Sequence, residues 1–251
     1  MAEQYARLRY LATQLSFRDK EVLDCGCGTG YSLAFISSGT PKAHYVGIDV
    51  DDGGIAYART KYPWLNFHVM DGTALSFESL SFDFVLSFEV LEHLYEDGQR
   101  RYIAEMHRVL KTDGTPVLST PNKDVFSLGH QLSLNSFHVR ELTLDQLLRL
   151  LGQKYTSNDV YGQYLHEKIL LDKDLAHLNA QFKPTKRLKR RIVRALRRYA
   201  VGQSLHDVYE ARKRKIGKAA RLYPLTISAD DFAFDREHLD LSKWFLCLCH
   251  K

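Results

Sequence analysis

The chain contains no run of 18 or more apolar residues, which excludes a helix that spans a bilayer. Its opening stretch, MAEQYARLRYLATQLSFRDKE, carries charges throughout and lacks the apolar centre of a secretory signal, so a cytoplasmic location is expected. There are no internal repeats and no long low-complexity linker, which excludes a repeat array. Cysteine is scarce: four residues in two Cys-x-Cys pairs, Cys25/Cys27 and Cys247/Cys249. Zinc sites usually space ligands as Cys-x₂₋₄-Cys with matching partners elsewhere. Both pairs here lie in or beside strand-like runs, so they read as buried small hydrophobes, and no residue is assigned to a metal.

What is present is ordinary in bulk. Of the 251 residues, 45% are apolar and 26% charged, the balance of a soluble globular protein large enough for one α/β domain with an insertion. The net charge of +5 is unevenly placed. Residues 183–221 hold 15 Lys and Arg against only Asp207 and Glu210, leaving 20 basic and 28 acidic residues elsewhere. An acidic body therefore carries one strongly basic segment.

Apolar runs alternate with helical patterns along the first two thirds. After a helical pattern over residues 5–16, strands are expected at 22–23, 45–48, 67–69, 84–88 and 116–119. Helical patterns fall at about 30–37, 53–61, 98–110 and 143–152, the last opening on a Thr143 N-cap with Gln146 three residues on. Gly114 suits a turn into the fifth strand. YTSNDVYGQY can form a sixth strand and KWFLCLCHK a final one. Such alternation implies right-handed crossovers and a parallel sheet covered on both faces. The expected division is a core over 1–165, a basic helical insertion over 166–240, and a last core strand over 241–251.

The loop DCGCGTG follows the first strand and precedes a helix, the context a nucleotide-type loop requires. Glycines there let backbone approach a ligand and leave helix N–H groups pointing at it. A dinucleotide loop would place Gly or Ala where this chain has Tyr31. Three carboxylates sharpen the reading. Asp24 precedes the loop, Asp49 ends the second strand about twenty residues on, and Asp71 ends the third. A carboxylate at Asp49 can accept both hydroxyls of a ribose, and one at Asp71 can accept an adenine amino group. Three acidic strand ends suit an adenosine with a cationic end and would repel a pyrophosphate.

At this point the chain resembles the class I S-adenosylmethionine-dependent methyltransferases. The stretches are VLDCGCGTGYSLAFI, YVGIDVDDGGIAYAR, FHVMDGTALSF, FDFVLSFEVLEHL and EMHRVLKTDGTPVLSTPN, in the family's order, over residues 5–165. NSFHVRELTLDQLLRLL and the pair Gly162-Gln163 resemble the branch associated with polysaccharide and cell-envelope synthesis. The resemblance implies a Rossmann-like, seven-stranded, mostly parallel sheet with an antiparallel last strand and a helical insertion before it. It also implies S-adenosylmethionine as cofactor. Gly26, Cys27, Gly28 and Gly30 would line its methionine and ribose part. Asp24 would hold the amino group, Asp49 the ribose with Val50 beside it, and Asp71 with Gly72 and Thr73 the adenine. Ser87 and Phe88 would lie under the sulfonium. Arg7 or Arg9 could pair with the cofactor carboxylate, although solvated helix residues are the more ordinary reading of both.

Methyl transfer mainly requires alignment of the acceptor and exclusion of water. An oxygen nucleophile gains from a general base, for which His138 and His93 are candidates because imidazole titrates near neutrality. His93 also reads as a packed structural residue, and Glu141 could orient His138. The expected acceptor is a small molecule or glycan, methylated at oxygen. Within 183–221, Leu188, Ile192, Leu196 and Tyr199 share one helical face ringed by Lys and Arg. That pattern fits a packed insertion helix, docking on an anionic membrane surface, or RNA binding without a recognisable RNA motif. An RNA methyltransferase and an inactive cofactor-binding partner protein are the alternatives.

Overall fold

The computed structural model describes residues 2–40, 42–127, 135–165, 232–237, 239 and 242–251. The basic segment 183–221 lies outside the described residues. In chain order the elements are α1 (Ala2–Gln14), β1 (Glu21–Cys25), α2 (Tyr31–Gly39), β2 (His44–Asp49), α3 (Asp52–Lys61), β3 (Asn66–Val69) and β4 (Phe82–Phe88). A 3₁₀ turn (Leu91–His93) leads to α4 (Glu96–Val109), β5 (Leu110–Pro121), the single-turn α5 (Lys123–Phe126) and α6 (Leu144–Leu151). The chain closes with β6 (Ser157–Leu165), β7 (Phe232–Asp235) and β8 (Trp244–His250).

One sheet runs in the order β3-β2-β1-β4-β5-β8-β6-β7. The first five strands are parallel, and β8 runs antiparallel to both β5 and β6. The Rossmann-like parallel sheet with an antiparallel closing strand is thus present, but it has eight strands rather than seven. The added edge strand β7 pairs antiparallel with β6, Gly162 opposite Asp235 and Leu165 opposite Phe232. Its four residues sit in the polar run SADDFAFDREHLD, too short to register as a period-two pattern. Gly114 lies within β5, where the pairing slips between Phe82–Leu110 and Phe84–Thr115. Its Cα lies so close to Leu110 that a Cβ would come within 2.7 Å of that side chain.

The two faces of the sheet explain its sequence. Leu23, Ile48, Val85 and Leu118 pack on one side with Tyr102, Ile103 and Met106 of α4 and with Leu147, Leu150 and Leu151 of α6. Val22, Phe84, Leu86 and Val117 pack on the other with Leu8 and Leu11 of α1, Leu33 and Ile36 of α2, and Ile55 of α3. Neighbouring strand residues thus point to opposite faces, both apolar, as a doubly covered sheet requires. In α4 the buried positions Gln99, Tyr102, Ile103, Met106 and Val109 recur at three- and four-residue steps. Thr143 and Gln146 close a reciprocal capping box on α6, worth about 1 kcal/mol for such a cap.

Candidate cofactor pocket

The carboxyl ends of β1, β2, β3 and β4 lie side by side, so the loops that follow them meet at one edge. The β1 loop turns on three glycines in the left-handed region: Gly26 at φ 86°, Gly28 at 52° and Gly30 at 78°. Gly26 and Cys27 donate their N–H groups to the Ile48 carbonyl at 2.8 and 2.9 Å, fastening the loop to β2. A Cβ at Gly26 would lie 2.3 Å from Val90, and one at Gly30 would lie 2.6 Å from Phe67. At Gly28 a Cβ would meet nothing within 4 Å. Two of the glycines are therefore demanded by packing, whereas Gly28 faces open space.

Asp49 terminates β2 and binds the same loop. Its Oδ2 accepts from Gly28 N at 2.7 Å and its Oδ1 from Asp51 N at 3.0 Å. An ionised carboxylate has about four lone-pair sites, so both oxygens retain capacity for a diol. Val50 follows and is 69% exposed. Asp71, after β3, accepts from Thr73 N at 2.8 Å in a local turn, which sets the Gly72 and Thr73 backbone beside it. Gly72 is pressed against Tyr102 and Cys25, where a Cβ would come within 2.5 and 2.8 Å.

Asp24 is buried at the end of β1. Ser32, in the first turn of α2, donates to Oδ2, while Oδ1 has no hydrogen-bond partner. Burial pushes its carboxyl up to about 7; the Asp49 charge adds to this and the Ser32 hydrogen bond opposes it. A buried carboxylate with an unused oxygen at the mouth of a glycine loop is suited to a cationic group. That oxygen and the open space at Gly28 are what an adenosyl sulfonium with an ammonium end requires. The described residues therefore fit S-adenosylmethionine.

The side chains of Cys27, Ser87, Phe88 and Arg7 are engaged with other parts of the protein. The Cys27 side chain is buried and packs toward Gly47, where a Cβ would lie 2.9 Å from its Sγ, so only the Cys27 backbone belongs to the loop. Ser87 is buried and shares a 2.8 Å hydrogen bond with the Tyr102 hydroxyl, which donates to the Cys25 carbonyl at 2.7 Å. Phe88 packs against the α1–α3 face of the core. Arg7 is not a solvated helix residue: it is only 2% exposed. Its Nη1 donates to Glu89 Oε1 at 2.9 Å and to Ser119 Oγ, and its Nε donates to Gln163 Oε1 at 2.9 Å. Glu89 itself adopts φ 58°, a left-handed conformation uncommon for a residue with a side chain. Arg9 is exposed.

His93 and His138 come together although 45 positions separate them, with ring centroids 5.2 Å apart. His138 Nδ1 lies 2.7 Å from Glu141 Oε1, and the Ser127 hydroxyl donates to the other carboxylate oxygen. Glu141 is thus in hydrogen-bond contact with His138, the residue it was expected to orient. Glu92 is buried beside them, its Oε2 accepting from Thr120 Oγ1 at 3.0 Å and its Oε1 without a partner. Burial, then the neighbouring Glu89 charge, pushes the Glu92 carboxyl well up. Glu92, Glu89, Ser119 and Gln163 were not singled out as a cluster from the sequence. No periodicity marks a polar residue buried by a partner far along the chain.

Comparison with known proteins agrees with this geometry. Residues 22–114 match the family described as a methyltransferase domain. Over 159 residues the chain is 36% identical to a Mycolicibacterium smegmatis protein named "Probable S-adenosylmethionine-dependent methyltransferase", covering 63% of this chain and 60% of that one. A phthiotriol/phenolphthiotriol dimycocerosates methyltransferase of Mycobacterium tuberculosis is 29% identical over 161 residues, covering 61% and 59%. The chain thus spans about three fifths of the length of the curated relatives it matches. A SAM-dependent methyltransferase from Thermotoga maritima shares the fold, with a TM-score of 0.59 at 13% identity over 100% of this chain and 89% of that one. Residues 22–114 thus match a methyltransferase domain, and the 36% identical relative is named for S-adenosylmethionine as its methyl donor.

Proposed function

We propose that the protein transfers a methyl group from S-adenosylmethionine to an oxygen of a small-molecule or glycan acceptor. The observation that carries the choice of oxygen is His138, an imidazole fixed by a buried carboxylate 2.7 Å from its Nδ1. S-adenosylmethionine supplies a methyl carbon on a positively charged sulfur, which keeps the bonding pair as the acceptor oxygen forms the new C–O bond. An alcohol or sugar hydroxyl loses its proton in that exchange, so it needs a group that withdraws the proton or weakens its bond. His138 and His93 stand where the loops after β4 and β5 meet, the acceptor edge of such a sheet.

Each remaining residue has a holding role. Asp24 receives the cofactor's ammonium, Asp49 its ribose hydroxyls, and Asp71 with the Gly72 and Thr73 backbone its adenine. Arg7 neutralises Glu89 at the floor of the site. Phe137, whose carbonyl meets His93, is 78% exposed and offers an apolar surface for the body of the acceptor. The printed name of the 29% identical relative, a phthiotriol methyltransferase, denotes a triol and favours a hydroxyl-bearing acceptor. Docking of residues 183–221 on an anionic membrane surface or on RNA is supported by the charge pattern of the sequence alone.

The test is incubation with methyl-labelled cofactor and separated glycan, lipid, RNA and small-molecule fractions. Alkali-stable label on a glycan or small molecule is expected. Label confined to RNA would establish the other reading, and tight cofactor binding with no transfer to any fraction would indicate a partner protein.

A further inference from the structure

We infer that Glu92, His93 and His138 form a binding site for one divalent transition-metal ion at the acceptor side of the pocket. One ligand atom from each of the three lies within 4.8 Å of the other two. Glu92 is 1% exposed, and its Oε1 is without a partner in a cluster that is otherwise hydrogen-bonded. A buried carboxylate oxygen left unmatched is costly unless something cationic or hydrogen-bonding meets it.

The hydrogen bonds also fix which imidazole nitrogens are available. His93 Nδ1 faces the Phe137 carbonyl at 2.9 Å, so it carries the proton and leaves the lone pair on Nε2. His138 Nδ1 faces the Glu141 carboxylate and carries its proton for the same reason. Its Nε2 meets Asn135 Nδ2 at 2.8 Å, and the Asn135 amide orientation is set because Oδ1 accepts from Phe137 N at 3.1 Å. A donor therefore points at His138 Nε2, which must present a lone pair. With both Nδ1 atoms tied to oxygen acceptors, as second-shell partners tie metal-binding histidines, an ion would take the His93 Nε2 lone pair directly and would displace the Asn135 amide from His138 Nε2.

Backbone holds the two halves of the site together. Val139 N and Arg140 N both donate to the Glu92 carbonyl, at 2.7 and 3.0 Å, and Gln99 Nε2 donates to the Leu91 and Arg140 carbonyls at 2.7 and 3.0 Å. Two nitrogens and one carboxylate suit zinc, ferrous iron or cobalt better than magnesium or calcium, which prefer all-oxygen shells. Ligands about 2.1 Å from such an ion stand roughly 3 Å apart, so the cluster draws in on binding. The exposed His93 ring is the member with room to move. Three protein ligands leave further positions on the ion open, as in catalytic rather than structural sites.

An open position there would receive the acceptor oxygen. Coordination would lower the hydroxyl's pKa so that its proton passes to solvent water, the ion replacing His138 as the group that weakens the O–H bond, and would point the oxygen at the methyl carbon. This role rests on the proposed methyltransferase activity, whereas ion binding itself does not.

The test uses the full chain, stripped with a chelator and titrated with Co²⁺ alone. One Co²⁺ per chain is expected, with ligand-field absorption of a nitrogen–oxygen site and no thiolate charge-transfer band. His93→Gln and His138→Gln should weaken binding at least 100-fold. The exposed position of His93 and thermal melts of both variants separate loss of ligand from loss of fold. No saturable site in the wild-type chain, equal binding by the His93→Gln variant, or a thiolate band would overturn the inference. Cofactor affinity is measured on the same metal-free samples. If S-adenosylmethionine binds and Co²⁺ does not, the metal site fails alone; if Co²⁺ binds and the cofactor does not, the methyltransferase reading fails alone.

Discussion

Arg7 Nη1 lies 2.9 Å from Glu89 Oε1, joining the N-terminal helix to the residue that follows β4 across 82 positions of sequence. The same guanidinium reaches Ser119 on β5 and Gln163 on β6, so a single side chain ties three segments under the pocket. Removing one member of a buried pair leaves the other charge uncompensated, at a cost of about 3–5 kcal/mol. Glu89 is 23% exposed and part of that is relieved by water. Arg7→Met is therefore expected to lower unfolding free energy by about 2–4 kcal/mol. Arg7→Met/Glu89→Gln should recover part of it. Urea unfolding midpoints of the two variants check this; equal destabilisation by both would show that Glu89 is not the partner that matters.

Asp24 makes stability and cofactor affinity depend on pH in opposite senses. Its folded-state pKa, about 7, lies above the ordinary 3.8, so the fold prefers the protonated acid. The associated stability is fully present below pH 4 and is lost as pH rises toward 7, on the order of 4 kcal/mol over that window. Cofactor binding pulls the other way, since an ammonium group favours the carboxylate. S-adenosylmethionine affinity should therefore fall by up to about tenfold per unit as pH drops from 7 to 5. Asp24→Asn should flatten both profiles, raise the melting temperature at pH 8 without cofactor, and abolish tight binding. Calorimetric titration across pH gives the affinity, and a pH series of thermal melts gives the stability.

The three loop glycines should fail in different ways. Gly28→Ala meets no atom within 4 Å, so its folding cost is that of a left-handed alanine, about 1–2 kcal/mol. Its methyl group would occupy the space read as the cofactor's, so affinity should fall tenfold or more while the chain stays folded. Gly26→Ala adds a clash with Val90 and Gly30→Ala one with Phe67, so both should lose soluble protein first. Expression yield, melting temperature and cofactor binding for the three variants form the measurement. Unimpaired binding by folded Gly28→Ala would remove the cofactor from that side of the loop.

The half of the site built from short-range signals was legible in the sequence. Asp24, the glycines and Asp49 each sit at a strand end that alternation alone locates, and parallel pairing of β1 with β2 then brings them together. The acceptor half was less so. His138 was visible as a titratable residue beside Glu141, but its meeting with His93 and Glu92 depends on backbone bonds between segments some 45 residues apart. The burial of Arg7 was not legible because a charged residue on an exposed-looking helix has no local mark of burial; Glu89, Ser119 and Gln163 supply it from far along the chain. β7 was missed because four residues at a sheet edge obey their neighbour β6 rather than their own pattern.

The cysteines are expected to be chemically silent in the folded protein. Cys25, Cys247 and Cys249 lie in one apolar cluster and Cys27 in the other, on opposite faces of the sheet. All four are free and buried. Burial pushes the thiols of Cys25 and Cys249 up to about 12 and raises those of Cys27 and Cys247 as well. The thiolate is the reactive species, and at pH 8 it is scarcely populated at any of these positions. Reaction with an aromatic disulfide reagent should titrate none of the thiols in native protein and four per chain in denaturant. Bound cofactor should slow the reaction further, since opening of the loop around Cys27 is the route by which reagent reaches it. Rapid labelling of Cys27 in the native state, unaffected by S-adenosylmethionine, would mean that the glycine loop is looser than its hydrogen bonds to Ile48 imply.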